Sequence, residues 1–197
     1  MLTRIALIGI SSVTAAALTT GPALASPATV HVKSGTTKVT VAPAVARALL
    51  SNGVAPLVTR PGKPGLAVVG KQPTLTAAYP VTGGTLTTDP LAGTVKHQGG
   101  LKFVNVFNGR SLEVKDFTID LTKGNLTAKV AGSATRVPVF NLDTSTASVD
   151  VSKHRLDARK VTLRLTSTAA SALNNTLRTK VFATGLVVGT ADTHLRF

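Results

Sequence analysis

Residues Gly93–Val130, GTVKHQGGLKFVNVFNGRSLEVKDFTIDLTKGNLTAKV, set apolar side chains at every second position between glycine-rich turns. A period of two marks a strand with one face buried, so the stretch reads as a β-meander. Gly93, Val95 and His97 share the first buried face, Gly99-Gly100 turns, and Leu101, Phe103, Asn105 and Phe107 share the next. Asn108-Gly109 is a strong hairpin signal. In the following strand Leu112 and Val114 hold one parity while Phe117, Ile119 and Leu121 hold the other. A one-residue slip turns a whole set to solvent, so a β-bulge is predicted near Lys115-Asp116 to keep both sets inside. Lys123-Gly124-Asn125 turns into a last strand of Leu126, Ala128 and Val130.

Upstream, Val39 and Val41 alternate with polar residues as a strand. The period then changes over Ala42–Gly53, where Pro43 in the first turn and Gly53 past the end predict a short helix with Val45, Ala48 and Leu49 on its apolar face. A strand is expected over Val54–Val58, and TRPGKPG at Thr59–Gly65 reads as a loop. Alternation returns at Leu75, Ala77, Tyr79 and Val81 and ends at Gly83-Gly84; Pro80 confines this strand to an edge or marks a bulge. A turn at Asp89-Pro90 leads into the meander.

Downstream, Arg136–Leu142 is apolar but broken by Pro138, which predicts an edge strand or an extended connection. Val149 and Val151 suggest a short strand, and Lys153–Lys160, KHRLDARK, a charged turn. Val161, Leu163 and Leu165 alternate, and Thr166 or Ser167 caps a second short helix, Thr168–Leu177, with Ala169, Ala172 and Leu173 on its apolar side. A final strand is expected over Val181–Thr190. Val41–Leu49 aligns without gaps on Leu165–Leu173, so two strand-helix-strand units bracket the meander. The fold class expected is mainly β: an antiparallel β-sandwich with two short α-helices closing its open ends.

The first residues, MLTRIALIGISSVTAAALTTGPALAS, place Arg4 before an apolar run and Ala23-Leu24-Ala25 after it, the layout of a secretory signal peptide cleaved after Ala25. Ser, Thr, Gly and Pro interrupt that run, which is shorter than the roughly 20 residues of a bilayer span. The expectation is residues 1–25 as leader and 26–197 as one domain, secreted or associated with the cell envelope, without a membrane span in the mature chain. There is no cysteine, which excludes disulfides, thiolate metal sites and a cysteine nucleophile. The chain has 22 Lys and Arg against 8 Asp and Glu, a net charge of +14, or +13 once Arg4 leaves with the leader. Such a field attracts polyanions. The cations are scattered singly, and one Tyr, six Phe and no Trp leave few aromatics for stacking on bases, so no specific nucleic-acid partner is expected.

Catalytic signatures are missing: there is no G-x-S-x-G, S-x-x-K or H-E-x-x-H, and no two His stand at metal-ligand spacing. The eight acids sit in turn or strand-surface contexts. Neither a catalytic residue nor a metal site is expected. Two residues have polar chemistry at buried parity: His97, in phase with Gly93 and Val95, and Tyr79, in phase with Leu75, Ala77 and Val81. A buried Tyr or His needs a partner for its polar atom, and a ligand is one such partner. Tyr79 and His97 are therefore the candidate ligand-binding residues.

The order GTVKHQGGLKF, LEVKDFTIDLTKGNLTAKV, RVPVFNLD and LTSTAASALNNTLRTKVFATGLVVGTA resembles a family of secreted β-rich proteins of high-GC Gram-positive bacteria, and more distantly the HtaA-type haem-binding domain. The resemblance covers about Tyr79–Ala191. It implies an antiparallel β fold with one or two short helices, at the cell surface or released, and a haem iron ligated by Tyr with support from a meander His. His97 matches that His in context. Tyr79 lies close to the meander, and the aromatic N-terminal motif of the HtaA-type domain is missing. The leading expectation is a non-enzymatic envelope protein that binds anionic wall polymers or anionic partners and holds no cofactor. The alternative is a haem or small-ligand carrier using Tyr79 and His97. Oligomeric state is not legible.

Overall fold

A computed structural model describes residues 29–197; the expected leader, residues 1–25, lies outside them. Alternation becomes strand nearly throughout. The chain begins β1 (Thr29–His31), β2 (Ser34–Val41), α1 (Pro43–Ser51), β3 (Val54–Thr59), β4 (Lys63–Val69) and β5 (Gln72–Thr88). The meander supplies β6 (Leu91–His97), β7 (Gly100–Asn105), β8 (Ser111–Asp120) and β9 (Asn125–Val130). It ends with β10 (Arg136–Asp143), β11 (Ser148–Ser152), β12 (Arg155–Leu165), α2 (Ser167–Leu177) and β13 (Val187–Arg196).

The strands build a closed barrel, not the expected sandwich of two facing sheets. The antiparallel ring runs β5-β2-β13-β12-β10-β9-β8-β6 and returns to β5, because β6 pairs with both β5 and β8. Closure depends on a close approach of β5 and β6. A Cβ on Gly84 would stand 2.2 Å from the Thr94 carbonyl oxygen, and one on Gly93 2.1 Å from that of Thr85, at φ angles of +152° and +111°. Only glycine tolerates that contact and backbone together.

Above the closing pairs the ring divides: β5 carries β4 as a hairpin, and β8 carries β7 and then β3. The segment read as a loop from Thr59 is thus a turn followed by β4. The two glycines that were to end the β5 strand lie within it, and Pro80 sits inside the sheet beside Thr36, with a bulge between Val81 and Gly83. β10 is likewise interior, between β9 and β12, its Pro138 accommodated by a register shift. The charged segment Lys153–Lys160 is mostly strand β12 with outward charges, and the last strand starts at Val187, since 181–186 form the connection out of α2.

The predicted bulge is present. Register shifts between Lys115 and Thr118, Asp116 takes φ +55°, and Val114, Phe117 and Ile119 are all buried. The Asp116 N–H donates to Gly99 O at 2.9 Å, and Arg136 donates to the Asp116 carbonyl and to Thr118 Oγ1. Both helices cover the same end of the barrel, since Val41, before α1, and Leu163, near α2, both pair with Gly189. They point Val45, Ala46 and Leu49, and Ala169, Ala170, Leu173 and Leu177, into the core; Ala48 and Ala172 face solvent. Thr166 caps α2, accepting from Ala169 N at 3.1 Å.

Candidate functional site

Tyr79 and His97 reach the same interior cavity because β5 and β6 are neighbours. Val81 pairs with His97, and Tyr79 is the next inward residue along β5. Both side chains are 5% exposed. The cavity holds about 130 Å³ and is lined by aliphatic side chains and by Phe103, Phe117, Phe140 and Phe182, with Thr37, Thr76, Tyr79 and His97 as its polar members.

The Tyr79 ring meets Phe117 edge-on at 5.0 Å and 67°. Its outer flank is covered by backbone: a Cβ on Gly62 would lie 2.9 Å from Cε1, and one on Gly99 3.2 Å from Cδ1. The hydroxyl donates to Gly100 O across a long 3.4 Å. Burial raises the phenol well above its ordinary range, so it stays protonated.

His97 Nε2 shares a proton with Thr37 Oγ1 at 2.7 Å, and Thr37 Oγ1 is 2.9 Å from Thr193 Oγ1. This chain crosses from β6 to β2 to β13. Nδ1 has no partner in hydrogen-bond geometry. Burial lowers the imidazole to about 4 against the opposing pull of the Phe117 and Val95 backbone, so the ring is neutral at pH 7. Thr37 and Thr193, 4% and 7% exposed, are the members that sequence reading passed over. Their inward parity with Val39 and Ala191 was the available signal.

The residues present do not fit a haem inside the closed barrel. A space of 130 Å³ is on the scale of the roughly 150 Å³ that admits benzene, below the roughly 300–1,000 Å³ of sites for larger ligands. Burial also keeps Tyr79 in its protonated form. Among the described residues no cluster of three or more His, Asp or Glu is placed to hold a metal ion, and no helix is long and apolar enough to cross a membrane.

No family profile and no curated protein matches the chain. Solved structures do. The C-terminal domain of HtaA from Corynebacterium glutamicum overlays with a TM-score of 0.59 at 12% identity, covering 84% of this chain and 98% of that one. The domain-swapped dimer of its H434A variant gives 0.52 at 14% identity, covering 77% and 87%. The haem-binding protein HtaB of the same organism gives 0.43 at 13% identity over 87% and 96%, an overlap too loose to argue from. At these identities the likeness is one of fold: the chain has the architecture of the HtaA C-terminal domain.

Proposed function

We propose that the chain is a non-enzymatic ligand-binding module whose site is the Tyr79–His97 side of the barrel interior. The observation that carries this reading is the convergence of Tyr79, His97 and Thr37 on one apolar cavity, with His97 Nδ1 left without a partner. A largely apolar pocket with a few converging polar groups is the usual form of a small-molecule site. In its closed form the barrel takes a compact apolar molecule whose polar atom is received among Tyr79, His97 and Thr37.

Haem is the second reading, favoured by the likeness of fold to HtaA and by the resemblance of the meander around His97. It requires the turn at residues 60–62 to lift from Tyr79, because Gly62 and Gly99 cover that ring. Haemin titration separates the two ligands. A Soret band that shifts on mixing, and is lost in Tyr79→Phe and in His97→Ala, establishes the haem reading. No shift with haemin, together with a rise in melting temperature on adding a small aromatic such as indole that disappears in His97→Ala, establishes the compact ligand. Neither response sinks the site.

A further inference from the structure

The helix-covered end of the barrel combines exposed cations, no acid and exposed apolar side chains. Four segments meet there. Thr40, just before α1, pairs with Thr76 near the start of β5, and Arg47 of α1 donates to Gln72 Oε1 at 2.9 Å. Asn105 and Asn108 donate from Nδ2 to Leu177 O at 2.9 and 3.0 Å, tying the β7–β8 loop to the end of α2. α1 with its flanks (42–53), the β4–β5 turn with the residue before it (68–72), the β7–β8 loop (105–110) and α2 with its exit (166–186) therefore form one face.

These segments carry Arg47, Lys71, Arg110, Arg178 and Lys180, all exposed, and contain no Asp or Glu. The ion pairs among the described residues involve Lys123, Lys129, Arg155, Arg164 and His194, and none of the five. The same face exposes Leu50 (58%), Val68 (73%), Val106 (62%) and Phe107 (77%). Phe107 is held in place: its ring lies so close over Gly53 that a Cβ there would be 2.5 Å from Cε2. Exposed apolar groups clustered on one face mark an interaction site.

We propose that this face docks on an anionic lipid surface. Val68, Val106 and Phe107 enter the boundary between headgroups and acyl chains while the five cations meet the headgroup charge. An anionic wall polymer, the partner that composition alone suggests, uses the cations but gains nothing from a projecting phenyl ring. The combination favours lipid. The inference is independent of what fills the barrel.

Because the chain has no cysteine, a single Phe107→Cys labelled with nitrobenzoxadiazole reports this face alone, and Val149→Cys on β11, at the opposite end, serves as the control. With vesicles of phosphatidylglycerol and phosphatidylcholine the label at 107 is expected to shift to the blue and brighten several-fold, while that at 149 stays unchanged. Vesicles of phosphatidylcholine alone give neither change. Adding Lys180→Gln lowers partition by about fivefold, the effect of one cation near an anionic surface. The proposal is overturned by equal responses at 107 and 149, by no response at 107, or by a soluble polyphosphate reproducing the response at 107.

Discussion

His97 sits in an environment that disfavours its charged form. It is neutral, 5% exposed, and anchored at one nitrogen by Thr37. Its folded pKa of about 4 lies below its ordinary 6.5, so between these values the unfolded chain takes up a proton that the folded chain refuses. Stability is therefore whole above pH 6.5, falls as pH drops toward 4, and levels off below both values, at a cost of about 3 kcal/mol. His97→Gln keeps a group that can bond Thr37 but cannot titrate. Urea midpoints measured from pH 7.5 to 4.5 are expected to fall in the parent and to stay nearly flat in the variant; parallel slopes would refute the assignment. That Tyr79 and His97 are buried was legible in their parity. The proton-sharing Thr37 and Thr193 were not singled out, because a threonine in a strand reads equally well as surface.

The strand β8 shows how an element resolves a conflict written into it. Leu112 and Val114 face inward on one parity, Phe117 and Ile119 on the other, and the extra residue at the bulge lets Val114, Phe117 and Ile119 all be buried. The cost is placed on Asp116, whose φ of +55° is a left-handed conformation that few side chains accept. Asp116→Val is expected to lower stability by about 1–2 kcal/mol, whereas Asp116→Gly holds it within about 0.5 kcal/mol, since the surface contact to Lys129 contributes little. Chemical denaturation of the pair decides; equal losses would mean that the left-handed backbone is not the constraint. The bulge was legible because two parities in one strand admit few other solutions. β4 was not, because Pro and Gly in TRPGKPG signal a turn just as strongly when a strand begins immediately after it.

At the scale of the whole molecule, closure is decided where β6 meets both β5 and β8, and two glycines permit it. Gly93→Val sets a Cβ against the Thr85 carbonyl, at a φ of +111° that a β-branched residue avoids. A loss on the order of 4 kcal/mol is expected, read as a collapse of the urea midpoint. A similar substitution at Gly124, where a Cβ meets nothing within 4 Å, is expected to cost far less, confined to backbone strain. Comparable losses at the two sites would show that closure does not depend on this contact. The sequence by itself determined that the chain is β-rich, where the meander turns, where both helices start and stop, and the inward parity of most strands; Ala48, Ala172 and Phe107, read onto apolar faces, are exposed, Phe107 because β7 ends at Asn105. What it determined follows locally from side-chain period and turn chemistry. It did not determine whether the sheet closes, that Pro80 and Pro138 lie within it, that the interior is too small for a haem, or that five unopposed cations and Phe107 share one end. Those depend on which strands meet across long stretches of chain, and period-two alternation is the same whether a buried face looks at a second sheet or at its own far wall.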